Sequence, residues 1–418
     1  MTSRIEDLAL TVATSISQIG DYLRSQSLPF PSFDVDGPVE ATLKDVQIEQ
    51  ARQDAMASCL ELFSLLQGPR MCLRPCYNAA PMHAIYKFEI AQKVPLVGDI
   101  SFTDLAVKCG LYEPDLRRII RFAIIYHRAF LEPRKGYVAH SAASRQLMED
   151  ADVRDGIGLM FDDFYPSFAR TVDAIETFQG QEPNQTGWAL AHNSTHQSTF
   201  EYLAEHPSRA ARFSGAMKFF SSTVPGNSPS HLLQAFPWGE LGAATVVDVG
   251  GADGYVSMLL AQSFPKLQIT VEDLPHIAQE GKVPLPLRER VRFEAQDFFQ
   301  EQNVKGADVY LLRWVLHDWP DKQAIQVLRA LVPALKSGAR VLINDNVAPG
   351  QAGLMPLIPE QFIRELDMIM LAAFNAYERE LEDWERLVKA ADPRFGPIKY
   401  TQQSGALLGV LEIEWLGE

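Results

Sequence analysis

The sequence has few cysteines, fewer basic than acidic residues and no long apolar run. Four cysteines in 418 residues exclude a scaffold held together by disulfides. Because 38 basic residues face 53 acidic ones, the net charge is −15, and we expect neither nucleic acid nor an anionic membrane surface as a partner. No stretch approaches the roughly 18 apolar residues of a membrane span. Arg4, Glu6 and Asp7 interrupt any secretory signal, so the expected location is cytoplasmic.

The length predicts two or three domains at about 150 residues each. The first, residues 1–150, reads as helical and ends in a possible two-stranded wing. Its predicted elements are helices over the first 30 residues and over 41–67, 84–90, 102–110 and 113–122, then strands 129–132 and 137–140. Helix, helix and hairpin form a winged-helix pattern, and its second helix holds Arg117, Arg118 and Arg121. Since the chain is acidic, we favour dimerisation or a substrate lid over DNA binding.

Residues 151–240 are predicted to be a helical connection that contributes to a substrate pocket. After residue 240, short apolar strands alternate with helices, which predicts an α/β domain over 241–418 with a Rossmann-like, mainly parallel sheet. The predicted strands are 245–249, 267–271, 291–295, 307–312 and 340–343. Two further apolar runs, 398–401 and 406–415, have no helix between them and predict an antiparallel hairpin at the edge of the sheet.

A glycine-rich turn follows the first predicted strand, in Asp248-Val-Gly-Gly-Ala-Asp-Gly254. Gly250 and Gly251 would let the main chain approach a ligand at the carboxyl edge of the sheet. The dinucleotide pattern G-x-G-x-x-G fails in both registers, and no phosphate-loop Lys follows. Asp248 instead suits a ligand with a cationic end.

Acids also end the next two predicted strands. Asp273 lies 19 residues past the last glycine, where a carboxylate can bind both hydroxyls of a ribose. Asp297 and Phe298 suit the amine and the ring face of an adenine. A cationic amino-acid end, a ribose and an adenine together describe S-adenosylmethionine. The alternative is a generic nucleotide-binding sheet.

Three motifs occur in order: the glycine turn, Asp273-Leu-Pro-His276 and Leu312-Arg-Trp-Val-Leu-His-Asp-Trp-Pro-Asp321. In this the chain resembles the plant caffeic-acid-type and fungal polyketide O-methyltransferases, most strongly over 245–390. The resemblance implies an N-terminal winged-helix region that forms a homodimer and a metal-independent methyltransferase domain. It adds Arg313 and Trp314 to the cofactor positions Asp248, Gly250, Asp273, Asp297 and Phe298. Ala252 departs from the family, which usually has a third glycine there.

His317 stands just past the fourth predicted strand. Methyl transfer to a phenol needs a base, and a histidine can take the proton near neutral pH; in the family this position is the general base. The alternative is a structural role for this segment, in which Asp318 caps the start of the following helix. The resemblance implies that Glu378 and Asp345 hold the base in place, although the family usually has glutamate at the position of Asp345. Asp367 is expected to begin a helix that faces the pocket.

Metal ligands are not predicted, because Cys72 and Cys76 lack a second ligand pair. The favoured function is methyl transfer from S-adenosylmethionine to a hydroxyl of a small phenolic or polyketide-like metabolite. One alternative is a pericyclase or dehydratase of the same fold, which binds S-adenosylmethionine without transferring its methyl group. Another is a non-catalytic winged-helix regulator, which His317 disfavours. The acceptor itself is not defined by the residues of 160–225 and 360–378 that we expect in its pocket.

Overall fold

A computed structural model describes residues 3–40, 43–73 and 78–417 of the chain. The predicted start of the second helix at residue 41 and Cys76 of the cysteine pair lie outside the described residues. The chain divides into two compact units: residues 1–165 with 356–358, and residues 166–355 with 359–418. Among the described residues, no helix has the length and apolar character needed to cross a membrane.

The first unit is mainly helical and contains a small two-stranded sheet. Its elements are α1 (Arg4–Ser25), α2 (Val46–Gln67), α3 (Pro69–Cys72), α4 (Ala80–Lys87), α5 (Ile90–Lys93), β1 (Ile100–Ser101), α6 (Phe102–Cys109), α7 (Glu113–His127), β2 (Tyr137–Val138), α8 (Ala142–Glu149), α9 (Ala151–Leu159) and a π-helical turn (Met160–Phe164).

Local signals set most of these helix ends. Ser3 begins α1 with a capping box, in which its side chain accepts from the amide of Glu6 and the Glu6 side chain accepts from the amide of Ser3. Gly68 ends α2 in the left-handed region with φ 78°, as its position before Pro69 predicts. The predicted helix 84–90 is two helices instead. Glu89 lies between them with φ 49°, and this break points Ile90 into the core of the unit.

The strand pairing in the wing differs from the predicted pairing. Strand β2 pairs antiparallel with β1, a strand that the sequence did not indicate, through Ile100–Val138 and Ser101–Tyr137. Between the two predicted wing strands the structure has a single antiparallel bridge, from Leu131 to Ala139.

The second unit is an α/β sandwich. Its helices are α10 (Tyr165–Thr177, which starts at the boundary), α11 (Gly187–Ala191), α12 (Thr199–Glu205), α13 (Pro207–Thr223), α14 (Ser230–Ala235), α15 (Tyr255–Ser263), α16 (Pro275–Glu280), α17 (Asp321–Leu331), α18 (Leu357–Phe374) and α19 (Leu381–Ala391). Its strands are β3 (Thr245–Val249), β4 (Gln268–Asp273), β5 (Val291–Ala295), β6 (Val309–Arg313), β7 (Arg340–Asn344), β8 (Lys399–Thr401) and β9 (Val410–Glu414).

The described strands of this unit form one sheet in the order β5-β4-β3-β6-β7-β9-β8. Strands β3 to β7 are parallel, whereas β9 pairs antiparallel with β7 and with β8. Apolar side chains cover both faces of the sheet in two core clusters, as a parallel sheet requires. The predicted mainly parallel α/β sheet is confirmed, and it brings the carboxyl ends of β5, β4, β3, β6 and β7 to one edge.

Candidate active site

Three predicted acids lie at the carboxyl ends of three neighbouring strands. Asp248 is the last residue but one of β3, Asp273 ends β4, and Asp297 lies two residues past β5. Since β3, β4 and β5 are adjacent and parallel, the three carboxylates face one edge of the sheet in the order of the strands. This arrangement follows from topology and was predictable from the alternating strands and helices.

The glycine turn after β3 has little room for side chains. A Cβ added at Gly251 would lie 2.7 Å from Cγ1 of Val271 and 2.8 Å from Cγ of Asp248, so only glycine fits there. Ala252 has φ 49°, a left-handed conformation that costs an L-residue with a Cβ about 1–2 kcal/mol. The usual family glycine at this position therefore has a physical reason. The amide of Ala252 donates to Oδ2 of Asp273 at 2.8 Å, which ties the turn to β4.

Burial controls the charge of the first two acids. Burial raises the pKa of Asp248 to about 6, although the hydroxyl of Ser257 donates to it at 2.7 Å and Arg313 lies near enough to oppose the rise. Burial also raises the pKa of Asp273, against the hydrogen bonds from the amides of Leu274 and Ala252, each 2.8 Å long. Each desolvated carboxylate would gain from a cationic or hydroxyl-bearing ligand that restores its lost hydration.

Aromatic rings stand beside this edge. Phe298 lies next to the glycine turn, 3.6 Å from where a Cβ of Gly250 would be. The ring of Phe298 meets Trp319 edge to face, with centroids 6.1 Å apart, and Phe299 meets the same indole at 4.8 Å. Trp319 was not among the predicted site residues, because nothing in its local sequence pattern shows that the loop after His317 folds back onto residue 298.

Arg313 and Trp314 end β6 at the same edge. The guanidinium of Arg313 bonds to the side chain of Asn344 and, at 2.6 Å, to the carbonyl of Asn227, and it lies over the Trp314 ring at 4.9 Å. Burial lowers the pKa of Arg313 to about 10, although the acids Asp345 and Asp248 oppose this. Its Nη1 and Nη2 atoms thus already have protein partners, and its contact with a cofactor stays a prediction.

His317 lies in a 3₁₀ turn, Leu316–Asp318, which begins three residues after the end of β6 at Arg313. The imidazole is buried, and its Nδ1 atom is 2.8 Å from Oε1 of Glu378. Because an ionised carboxylate only accepts hydrogen bonds, this contact places the hydrogen on Nδ1 and leaves Nε2 free to exchange a proton. The Nε2 atom is 3.5 Å from Oδ1 of Asp318. Asp318 therefore does not cap the following helix, whose N-cap is Pro320 without a side-chain hydrogen bond.

The acids around His317 make it a strong base. Burial alone lowers the pKa of His317, but the carboxylates of Glu378, Asp318 and Asp345 outweigh burial and raise it to about 10. Burial raises the pKa of Asp318 to about 7 and that of Asp345 to about 6, against the attraction of the His317 charge. The structure thus gathers the predicted base and both predicted acids, and it adds Asp318.

The two acids predicted to hold His317 in place, Glu378 and Asp345, make different contacts. Glu378 bonds the imidazole, and its own amide donates to Oδ1 of Asp367 at 2.8 Å. Asp345 instead accepts from the amide of Trp314 at 3.0 Å, and its Oδ2 atom has no hydrogen-bond partner among the described residues. Asp367 lies in the second half of α18 and does not begin a helix, which corrects our expectation for that residue. The cause is that α18 starts at Leu357, directly after Pro356, which is earlier than the apolar pattern indicated.

A mainly parallel sheet with polar groups at its carboxyl edge is the architecture of Rossmann-like enzymes. Residues 172–393, more than half of the chain, match a family model described as an O-methyltransferase domain. The grayanic acid biosynthesis cluster O-methyltransferase of Cladonia grayi is 48% identical over 422 residues, which cover 100% of this chain and 89% of that protein. The O-methyltransferase pyvH of Aspergillus violaceofuscus is 44% identical over 428 residues, with 100% of both chains covered.

The chain therefore belongs to the S-adenosylmethionine-dependent O-methyltransferases, as its motifs predict. It is an enzyme that transfers a methyl group to a hydroxyl of a secondary metabolite.

Solved structures share the fold. OxaC, in a complex with sinefungin and meleagrin, has a TM-score of 0.75 at 20% identity and covers 97% of this chain and 99% of its own. A structure described as a pericyclic reaction enzyme has a TM-score of 0.73 at 22% identity, with 98% of this chain and 100% of its own covered. A structure described as the mitomycin 7-O-methyltransferase MmcR also shares the fold, with a TM-score of 0.67 at 23% identity over 88% of this chain and 99% of its own. The fold therefore does not separate methyl transfer from pericyclic chemistry.

Proposed function

We propose that this enzyme methylates a phenolic hydroxyl of a small polyketide-type metabolite, with His317 as the general base. The observation that carries the proposal is the buried contact of 2.8 Å between Nδ1 of His317 and Glu378. It fixes the ring and leaves Nε2 as the atom that takes a proton. A relative with 48% identity over the whole chain belongs to the biosynthesis cluster of grayanic acid, which supports a metabolite of fungal secondary metabolism as the acceptor.

The cofactor edge fits S-adenosylmethionine on three observations. The glycine turn excludes a Cβ at Gly251, Asp248 and Asp273 are desolvated carboxylates at adjacent strand ends, and Phe298 stands beside the turn. We assign Asp248, Gly250 and Gly251 to the amino-acid end, Asp273 to the ribose, and Asp297 and Phe298 to the adenine. Arg313 and Trp314 complete the predicted set. The bound cofactor supplies an electrophilic methyl group on a positively charged sulfur.

Proton transfer matches the acidity of a phenol. A phenol such as the tyrosine side chain has a pKa of about 10, and the carboxylates raise the pKa of His317 to about 10 against the effect of burial. Once the imidazole is neutral, which is its main form only above that pKa, the proton passes from the acceptor hydroxyl to Nε2 without a large uphill step. Glu378 balances the charge of the imidazolium through Nδ1, so the phenolate oxygen is free to attack the methyl group.

Stacked aromatic rings next to His317 support a flat acceptor. Phe200 stacks on Trp319 and on Phe374, each with centroids 5.2 Å apart, and it meets Phe213 edge to face at 5.8 Å. Phe200, Phe213 and Phe374 come from α12, α13 and α18 and lie within the regions that we predicted for the pocket, whereas Trp319 comes from the loop after His317 and lies outside them. We infer that they form one apolar wall for an aromatic ring whose hydroxyl reaches Nε2.

The alternative, a pericyclase or dehydratase, is less well supported. The two relatives described above are O-methyltransferases, and His317 is present with its acid partner. The test is to incubate purified protein with S-adenosylmethionine carrying a labelled methyl group and an extract of the producing organism. We expect a labelled metabolite and one equivalent of demethylated cofactor. Conversion of a metabolite without uptake of label would instead identify the alternative.

We further propose that residues 1–150 form a winged-helix-like dimerisation domain and that residues 151–240 connect it to the methyltransferase domain over 241–418. Apolar side chains of the packed pair α1 and α2 remain exposed, among them Leu10, Ile16, Phe63 and Leu66. Exposed apolar residues on neighbouring helices favour association with a second copy. A C-terminal hairpin at the sheet edge and a cytoplasmic location stay predictions.

A further inference from the structure

A fully buried arginine stands directly after Glu378. Residues 375–380 form the loop between α18 and α19, and Arg379 has no exposed surface. A buried guanidinium is costly unless all its donors are bonded, so its partners define what this residue holds in place.

The donors of Arg379 reach both sides of the His317 turn. Nη1 donates to the carbonyl of Leu316 at 2.9 Å, and Nη2 donates to the carbonyl of Trp319 at 2.8 Å. Nε and Nη2 both donate to Oδ1 of Asp321, at 3.0 and 2.8 Å. One planar group thus bonds the main chain immediately before His317 and two residues after it.

Two aromatic rings fix the plane of that guanidinium. Its carbon lies 4.9 Å from the ring centre of Tyr377 and 5.0 Å from that of Trp384. The hydroxyl of Tyr377 donates to the same carboxylate of Asp321, at 3.0 Å. A lysine keeps the charge at this position but cannot bond three acceptors in one plane.

We infer that Arg379 is a positioning residue for the methyl transfer, and this inference rests on the proposed role of His317 as the base. Glu378 bonds the imidazole ring while its neighbour Arg379 bonds the main chain that carries this ring. Both bonds come from one short segment, so the distance from Glu378 to Nδ1 is set by the two residues together. The carbonyl of Arg379 also accepts from the amide of Ala348, which attaches the segment to the chain that follows Asp345.

A purely structural arginine provides the matched control. Arg329 also donates to main-chain carbonyls, those of Ala390 and Ala391, at 2.8 and 3.0 Å. These bonds hold the end of α19 and do not involve the His317 turn. Loss of either guanidinium removes bonds to carbonyls, but only loss of Arg379 releases the main chain around the base.

The experiment compares Arg379→Lys with Arg329→Lys in the full-length enzyme. The readouts are kcat and KM for both substrates across pH 6 to 10, the binding of S-adenosylhomocysteine by calorimetry, and the melting temperature. For Arg379→Lys we expect kcat to fall by about 10- to 100-fold, because small misplacements of a catalytic group have costs of this size. The pH midpoint of kcat should also move down as the contact with Glu378 loosens, while cofactor affinity stays within about threefold. Arg329→Lys should change only the melting temperature.

A folded Arg379→Lys enzyme with the wild-type pH profile of kcat would overturn the inference, whatever its melting temperature. If the Arg379→Lys enzyme fails to fold, the Asp321→Asn enzyme is tested in its place, because this variant keeps Arg379 and removes only the charged acceptor of its guanidinium. An unchanged pH profile of kcat in the Asp321→Asn enzyme would also overturn the inference. His317→Ala separates the two levels of the argument. If His317→Ala keeps the wild-type rate, the proposed base is wrong; if His317→Ala is inactive while Arg379→Lys is normal, only the role of Arg379 is wrong.

Discussion

Asp345 accepts a hydrogen bond from the main-chain amide of Trp314 at 3.0 Å, while the imidazole of His317 is bonded by Glu378. Trp314 has φ 51°, a left-handed conformation that is rare for a bulky residue. The carboxylate therefore stabilises a strained peptide three residues before the base, and it acts on His317 through its charge and not by direct contact. An aspartate where the family usually has glutamate is thus sufficient at this position.

We predict that Asp345→Asn and Asp345→Leu behave differently. Asparagine keeps an oxygen that accepts a hydrogen bond from the Trp314 amide, so the melting temperature of the Asp345→Asn enzyme should stay close to that of the wild type. Leucine leaves that amide without an acceptor, which costs about 1–3 kcal/mol of stability and disturbs the turn. Thermal unfolding measures the loss of stability, and kcat measures the effect of the disturbed turn on catalysis. Equal losses of stability in both variants would show that the hydrogen bond to Trp314 is not what Asp345 contributes.

The charge of Asp345 makes a separate contribution. Because Asp345 is among the acids that raise the pKa of His317, Asp345→Asn should shift the pH midpoint of kcat to lower pH even where stability is unchanged. Asp345→Glu keeps the charge and serves as the control. An identical pH midpoint in all three enzymes would contradict this contribution.

The sheet and its ligand edge were predictable because parallel strands impose simple geometry. Any acid at the end of β3, β4 or β5 must face the same edge, whatever its neighbours are. The roles of Trp319 and Arg379 were not predictable, because each depends on how a loop after one strand meets a segment some 20 to 60 residues away. The role of Asp318 depends on the 3₁₀ turn, which places its carboxylate beside Nε2 of the adjacent His317. Glu89 is the corresponding case in the first unit: the apolar pattern continues through the break, and only the packing of Ile90 shows it.

The cofactor assignment can be tested by binding alone. Asp273→Ala should weaken the binding of S-adenosylhomocysteine by about 1.5–3 kcal/mol, because a desolvated, charged acceptor for the ribose hydroxyls is removed. Calorimetry with the purified variant measures this loss. Glu385→Ala removes an exposed carboxylate from α19 and should bind like the wild type. If the two variants bind equally well, Asp273 does not contact the ribose.

The oligomeric state tests the proposed role of the first unit. We expect the protein to sediment at about twice the chain mass of 46.7 kDa at micromolar concentration. Phe63→Glu together with Leu66→Glu puts two charges on the exposed apolar surface of α2, and it should produce a monomer because a charge is costly to bury in an interface. Leu285→Glu, an exposed leucine of the other unit, is the control. A wild-type protein that sediments as a single species of the chain mass would rule out the dimer.

The last prediction concerns the pH dependence of the wild-type rate. The pKa of His317 is about 10 in the protein without ligands, because the carboxylates of Glu378, Asp318 and Asp345 outweigh the opposite effect of burial. A raised pKa means that the imidazole holds its proton below that value and is free to accept one only above it. With excess cofactor and a phenolic acceptor, kcat/KM should therefore keep rising with pH beyond 7.5, where a histidine of ordinary pKa, about 6.5, would already give a plateau. His317→Ala should lower kcat by about 10²- to 10⁴-fold and flatten this rise, while calorimetry shows unchanged affinity for S-adenosylhomocysteine. If the wild-type profile is already flat from pH 7, the bound ligands cancel the effect of the three carboxylates on the pKa of His317. If the rate of the His317→Ala enzyme rises with pH as that of the wild type does, another group takes the proton.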